Sequence, residues 1–435
     1  MNERRCRVSA IQSLFVVSIF FGMFTAAEAE QLIFTLITSI RETQTVELVD
    51  AAHELLGRVL AEPVQSKLDF PHWDNSAMDG YAVRSADVRQ VPATLAVIEE
   101  IPAGKLPQKA LKSGQAARIL TGGMLPVGAD AVVMQEETER AGSSVRILER
   151  AEAGAFVRQQ GGFAKVGDTL LEAGRSLSPA DIALLAAAQQ TQVLVYRRPK
   201  VAILSTGSEL VRAEEPLKPG QIVDSNQYAL TALVAQTGAV PIPLGIVRDD
   251  RAAVKAAIAS ALTQADMVLS SGGVSVGDYD YIDDVLAELG ATLHIRSVAV
   301  KPGKPLTVAE FCELENGQAK RQIYFGLPGN PASAMVGFWR FVAPAIAQLS
   351  GKAGPWSPTF VWAEAVSDLS AGGKRETYLW GQLTAGENGY LFGRAAGSHS
   401  SGNLVNLANT SGLGVVPQGE TRIAKGQQVR VLAIR

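Results

Sequence analysis

The chain has 435 residues, 47% of them hydrophobic and 19% charged, with a formal net charge of -3. That length exceeds one ordinary core and predicts two to four domains, and the composition is that of a globular enzyme rather than a disordered or fibrous chain. With no global basic excess to displace counterions, nucleic acid is excluded as a general partner. The two cysteines, Cys6 and Cys312, stand far apart without a CxxC neighbour, so neither a disulfide framework nor a zinc site is supported. The four histidines, His53, His72, His294 and His399, are scattered and single out no hydrolase triad.

The N-terminus supports two readings. Arg4, Arg5 and Arg7 precede a nearly uncharged run from Val8 to Ala27, and Ala27-Glu28-Ala29 has the form of a cleavage site. Alone, this is a signal peptide or anchor. Against it, Thr25-x-x-Glu28 is a capping box, with Ala29, Leu32, Ile33, Leu36 and Ile37 following at helical spacing. On this second reading, which we favour, the first helix begins near Thr25 and residues 1–22 are a non-native or dispensable extension. Export or anchoring is the alternative.

Thr45-Val46-Glu47-Leu48 alternates as a short strand, and Asp50 to Gly57 reads as a short helix stopped by glycine. Beyond Pro63, short segments punctuated by Gly, Pro, Asp and Asn predict a β-rich domain. A helix restarts at Ser178-Pro179-Ala180-Asp181, with serine at the cap and proline in the first turn. Residues 23–65 and 170–198 are therefore expected to form a split N-terminal domain around a β-rich insert, 66–169. From Pro199 strands and helices alternate: Val201–Leu204, a helix after Asp224-Ser225-Asn226, Val240–Ile246, an alanine-rich helix, Met267–Leu269, Leu293–Val300 and Ile323–Leu327. This is a three-layer α/β domain with a mostly parallel sheet over 199–350. Residues 356–435 are strand-rich and predict a β-barrel-like C-terminal domain, making the whole chain α/β multidomain.

In a parallel sheet the strand ends face one crevice, where ligands bind. The loop Ser270 to Asp280, with Ser271-Gly272-Gly273-Val274-Ser275, lies between a strand and a helix, and glycines there let backbone N–H groups approach an anion. The same rim gathers Glu209, Asp249 and Asp280 with Lys301 and Lys304, where carboxylates suit Mg²⁺ and lysines on a proline-stiffened turn suit an oxyanion. A surface network pairing the acids with the lysines is the plain alternative.

Five motifs in order carry a resemblance: Asp74-Asn75-Ser76-Ala77-Met78-Asp79-Gly80-Tyr81-Ala82; Thr121-Gly122 with Pro126-x-Gly128-Ala129-Asp130; Ser271-Gly272-Gly273-Val274-Ser275-x-Gly277; Lys301-Pro302-Gly303-Lys304-Pro305; and Gly326-Leu327-Pro328-Gly329-Asn330-Pro331. From about Met23 onward the chain closely resembles the molybdopterin molybdenumtransferase family, which includes the gephyrin E domain. The resemblance implies an elongated cytoplasmic homodimer that uses Mg²⁺ to insert molybdate into adenylyl-molybdopterin, releasing AMP, downstream of a molybdopterin adenylyltransferase. It also implies a start near Met23-Phe24-Thr25 and no membrane partner. Position by position, Asp74 and Thr121 match motif residues at an inter-subunit cleft, and Ser76, in the same motif as Asp74, is a further substrate-binding candidate. Glu209, Asp249 and Asp280 match the acids of metal binding and adenylate hydrolysis, and Lys301 and Lys304 match a molybdate-binding pair. Ser271, Gly272, Gly273, Ser275, Pro328, Asn330, Arg375 and Ser401 match further substrate contacts. One departure is Ser208, where the family usually has aspartate; a serine is expected still to cap the following helix. Two other classes stay open: a non-catalytic pterin-binding scaffold, and a nucleotide-processing enzyme on the same α/β domain.

Overall fold

The computed structural model describes residues 23–273, 282–315, 318–397 and 399–434; the stretch 1–22, Ser275 and Asp280 lie outside them. The helix Ala26–Leu36 starts on the expected capping box, with Thr25 Oγ1 accepting from the Glu28 amide and the Glu28 carboxylate accepting from the Thr25 amide. Its buried face, Ala29, Ile33 and Leu36, joins the main core. Just before it, the Phe24 carbonyl accepts from the Ala299 amide at 2.7 Å, bracing the segment that leads into the lysine turn.

Leu55, Leu60, Leu171, Leu185 and Val195 form a separate core, closed by Thr43–Glu47 running antiparallel to Gln192–Tyr196. The short helix read at Asp50–Gly57 is a 3-10 turn, Leu48–Asp50, continuing into a π-type turn, Ala51–Leu55. Between these segments lies a six-stranded sheet in the order Ala131–Met134, Gly80–Val83, Gln115–Ile119, Ala93–Ile101, Ser144–Ile147, Thr138–Ala141. Glycine at 80 lets two of its strands meet, since a Cβ there would stand 2.0 Å from Val133 O.

The α/β region is built on a second six-stranded sheet: Val240–Val247, Lys200–Thr206, Met267–Ser271, Gln318–Leu327, Pro305–Glu315, Thr292–Ser297. The first four strands are parallel; Pro305–Glu315 runs antiparallel to both neighbours. That strand is absent from the sequence reading, which passes from the lysine turn straight to Ile323. Val201, Ile203, Met267 and Leu269 face one layer of helices, and Ala202, Leu204 and Val268 the other, the period-2 alternation of strands buried on both faces. Ser208 caps no helix: Gly207-Ser208-Glu209 is a turn into Leu210–Val211, which pairs in parallel with Ile222–Val223. The tight pairing of these short strands, rather than a cap, sets the conformation here.

The C-terminal region is a closed barrel of five strands, Glu376–Gly386, Gly389–Arg394, Phe360–Ala365, Gln428–Ala433 and Gly412–Val416, the last pairing back to the first. The segment Val300–Lys301 leaves the α/β region and pairs with Glu376–Thr377 of the barrel. Arg340, 3% exposed, pairs with Glu30 of the first helix and donates to Tyr378 Oη at 3.0 Å, so one buried cation joins three regions. Burial pushes the Tyr378 hydroxyl well above the usual phenol range, keeping it a neutral donor to Glu376. Among the described residues no helix is long and apolar enough to cross a membrane.

Candidate active site

The parallel strands Lys200–Thr206, Val240–Val247, Met267–Ser271 and Gln318–Leu327 deliver their ends to one edge, where the following loops line a cleft of about 720 Å³. The glycine loop is part of its floor. Gly272 holds φ +93°, and a Cβ on it would stand 2.3 Å from Thr206 O, so only glycine lets the two strand ends meet. Its N–H donates to Leu327 O at 3.1 Å. This corrects one expectation: the Gly272 amide is already engaged in binding two strand ends together, and is not free to hold an anion. Gly273, Ser271 and Pro328 also line the cleft, as does Asn330, which opens the next helix without a side-chain capping bond.

The inner wall is the start of the helix Ser225–Gln236. Asp224 caps it, Oδ1 accepting from the Gln227 amide at 3.1 Å. Asn226 Nδ2 donates to Ser271 Oγ at 2.6 Å and to Gly329 O at 2.8 Å, clamping the glycine loop to the Leu327–Pro331 loop. Asp224 is 3% exposed and Asn226 7%. Their remaining oxygens, Asp224 Oδ2 and Asn226 Oδ1, are buried without a hydrogen-bond partner, as is Thr206 Oγ1. Each such group costs on the order of 1–3 kcal/mol when left unmade, and all three residues line this cleft. Sequence reading saw Asp224-Ser225-Asn226 only as a helix start; nothing local signals that Asn226 reaches two loops 45 and 103 positions away.

The rim carries charge. Glu209 and Asp249 both line the cleft and are exposed. The adjacent Asp250 caps Arg251–Gln264, accepting from the Ala253 amide at 2.8 Å. Among the described residues no three His, Cys, Asp or Glu side chains converge as a metal set, and Asp280, the third predicted acid, lies outside them. An all-oxygen donor set with two cleft carboxylates does fit Mg²⁺, which is usually held by one or two carboxylates together with substrate phosphates. Lys301 and Lys304 are exposed on the turn that ends in Pro305, a lining residue. The Lys304 carbonyl accepts from the Val298 amide at 2.9 Å and Arg375 Nη1 donates to Val300 O at 3.1 Å, so the base of the turn is fixed from two sides. Ser401 O accepts from the Ala332 amide at 2.9 Å, bringing the barrel's Gly402 and Leu404 onto the cleft as one wall.

The remaining predicted residues form a separate group in the inserted sheet. Every residue lining the cleft lies at 206 or beyond, so Asp74, Ser76 and Thr121 contribute nothing to it within one chain. Asp74 Oδ1 accepts from the Gln160 amide at 2.7 Å. Ser76 is fully buried, and its hydroxyl donates to Met78 O at 2.5 Å, so it shapes the turn and presents no atom to a ligand. Thr121 donates to Asp79 Oδ1 through its amide at 2.7 Å and its hydroxyl at 2.6 Å. The Thr121 hydroxyl and amide hold the Asp79 carboxyl below the usual range. Asp79, which the sequence shows only as the head of an Asp-Gly turn, is thus the anchor of this group.

Comparison with known proteins agrees with this architecture along the chain. Residues 24–188 match the MoeA N-terminal region (domain I and II), 202–348 a probable molybdopterin binding domain, and 363–434 the MoeA C-terminal region (domain IV). A molybdopterin molybdenumtransferase of Nostoc sp. is 53% identical over 418 residues, covering 95% of this chain and 94% of the relative. One from Haemophilus influenzae is 36% identical, covering 90% and 93%. The crystal structure of the molybdopterin biosynthesis moeA protein from Pyrococcus horikoshii superposes with a TM-score of 0.79 at 30% identity, covering 95% of this chain and 100% of that one. The chain therefore belongs to the molybdopterin molybdenumtransferase family and acts in molybdenum cofactor biosynthesis.

Proposed function

We propose that this enzyme inserts molybdate into adenylyl-molybdopterin and releases AMP. The observation that carries the reading is the cleft itself: buried, unpaired acceptors on its inner wall, the carboxylates Glu209 and Asp249 in its lining, and the exposed Lys301 and Lys304 on the turn that ends at the lining residue Pro305. Lys301 and Lys304, with Arg375 and Ser401 beside them, hold the molybdate oxyanion, and the cis Lys301-Pro302 bond belongs to the turn that presents them. Glu209, Asp249 and Asp280 would hold Mg²⁺, which supplies neutralising charge to the phosphates. Asp249 or Asp280 positions the water that cleaves the phosphoanhydride. Asn226 donates to Ser271 Oγ, whose own hydroxyl donates to Pro328 O at 3.5 Å, so this pair holds the glycine loop against the Leu327–Pro331 loop.

The group around Asp74, Asp79 and Thr121 stands apart from the cleft described above, and we assign it to the cleft of a second copy in a homodimer. The substrate comes from a molybdopterin adenylyltransferase, and the enzyme works in the cytoplasm. Molybdate-dependent AMP release from adenylyl-molybdopterin tests the assignment. Asp249→Ala and Lys304→Ala are each expected to lower turnover by at least about 100-fold, the scale of removing a positioned electrostatic contact. Undiminished release in both variants would overturn it.

A further inference from the structure

We propose that Asp224 and Asn226 form an acceptor subsite that takes the ribose hydroxyls of the adenylate; this rests on the adenylate reading above. The Asn226 amide has one possible orientation. Gly329 O can only accept, so the NH₂ group faces it and Oδ1 faces away, where no donor meets it. Asp224 is likewise fixed, with Oδ1 bonded to the Gln227 amide and Oδ2 buried without a donor. Both residues line the cleft, on the first turn of one twelve-residue helix.

Two buried acceptors that no donor among the described residues reaches define what fits there. A phosphate or molybdate oxygen is itself an acceptor and is repelled by this wall. The occupant must offer adjacent O–H or N–H groups. In an adenylate the ribose diol does so from neighbouring carbons. A carboxylate just past a strand end that binds ribose hydroxyls is a recurrent solution in α/β nucleotide sites; Asp224 follows directly on Ile222–Val223.

The experiment is calorimetric titration of AMP, 2′-deoxy-AMP and 3′-deoxy-AMP into the wild-type protein and into Asp224→Asn. Asparagine caps helices as well as aspartate does, so this variant keeps the Gln227 bond and turns the free acceptor into a donor. At least one deoxy analogue should bind the wild type about 10- to 100-fold more weakly than AMP, the worth of one hydrogen bond to a charged group. Asp224→Asn should weaken AMP by a similar factor and erase that discrimination. Equal binding of all three nucleotides to the wild type overturns the proposal without any variant. So does a folded Asp224→Asn protein with unchanged AMP affinity. If that variant loses molybdopterin while AMP binding stands, the subsite belongs to the pterin and the ribose assignment is wrong. A wild type that binds none of the nucleotides removes the adenylate reading itself, a distinguishable failure.

Discussion

An aspartate and a threonine occur together in two regions of this molecule, with opposite outcomes. In the inserted sheet, Thr121 gives both its amide and its hydroxyl to Asp79, and Asp74 takes the Gln160 amide. In the α/β cleft, Thr206 Oγ1 and Asp224 Oδ2 are buried with no partner among the described residues. The first pair is exposed, so water would satisfy it anyway. The second is shut away from water and still unmade. Residue type therefore does not mark the recognition site in this chain. Buried, unmet groups also occur away from the cleft, at Glu30, Arg58 and Trp380; what distinguishes Thr206, Asp224 and Asn226 is that theirs belong to residues lining one cleft, where a ligand can meet them.

The contrast is broken most forcefully at its glycines. Gly272→Ala would place a Cβ 2.3 Å from Thr206 O at φ +93°, whereas Gly122→Ala, at φ +79°, meets nothing nearer than Ala103 Cβ at 3.8 Å. The first should cost about 3 kcal/mol or more and abolish turnover, the second about 1 kcal/mol. Equilibrium denaturation of the two variants measures the gap; equal costs would mean that the cleft loop is not held as tightly as its packing indicates. Next comes Asn226→Ala, which removes the donor from Gly329 O and Ser271 Oγ. We expect about 1–3 kcal/mol of lost stability and a larger proportional fall in turnover, since two loops of the site lose their clamp. Stability loss with unchanged kcat would confine Asn226 to the fold.

The smallest effect sharpens the other side. Asp79 titrates below the ordinary aspartate value because Thr121 bonds its charged form. With the folded value depressed, this bond contributes at pH above about 4 and is lost as pH falls through the depressed value. In Thr121→Val, the carboxyl titration of Asp79 followed by NMR should return toward about 4. An Asp79 that titrates unchanged in that variant would show that the Thr121 hydroxyl is not its partner in solution.

Much of this was readable from spacing. The Thr25 capping box, the serine cap at Ser178, the helix start at Asp224-Ser225-Asn226 and the alternating strand and helix pattern all involve residues close in sequence, where backbone geometry leaves few options. The helix expected after Ser208 failed because the pairing of Leu210–Val211 with Ile222–Val223 overrides a local cap signal. The strand Pro305–Glu315 was passed over because a hairpin partner, Gln318–Leu327, is what makes it a strand.

By itself, then, the sequence determined the order of the domains, the helix starts and the motif strings, from Asp74-Asn75-Ser76 to Gly329-Asn330-Pro331, that tie the chain to its family. Tertiary structure alone decided which polar groups are left open. It paired Arg340 with Glu30 across 310 positions and set Asn226 between Ser271 and Gly329. It also engaged the Gly272 amide with Leu327 O and left Asp224 Oδ2 facing no donor. The physical reason is that a hydrogen bond's partner is settled by which strand ends meet. The meeting of strand ends follows from the burial of whole sheets and helices, which no window of a few residues contains.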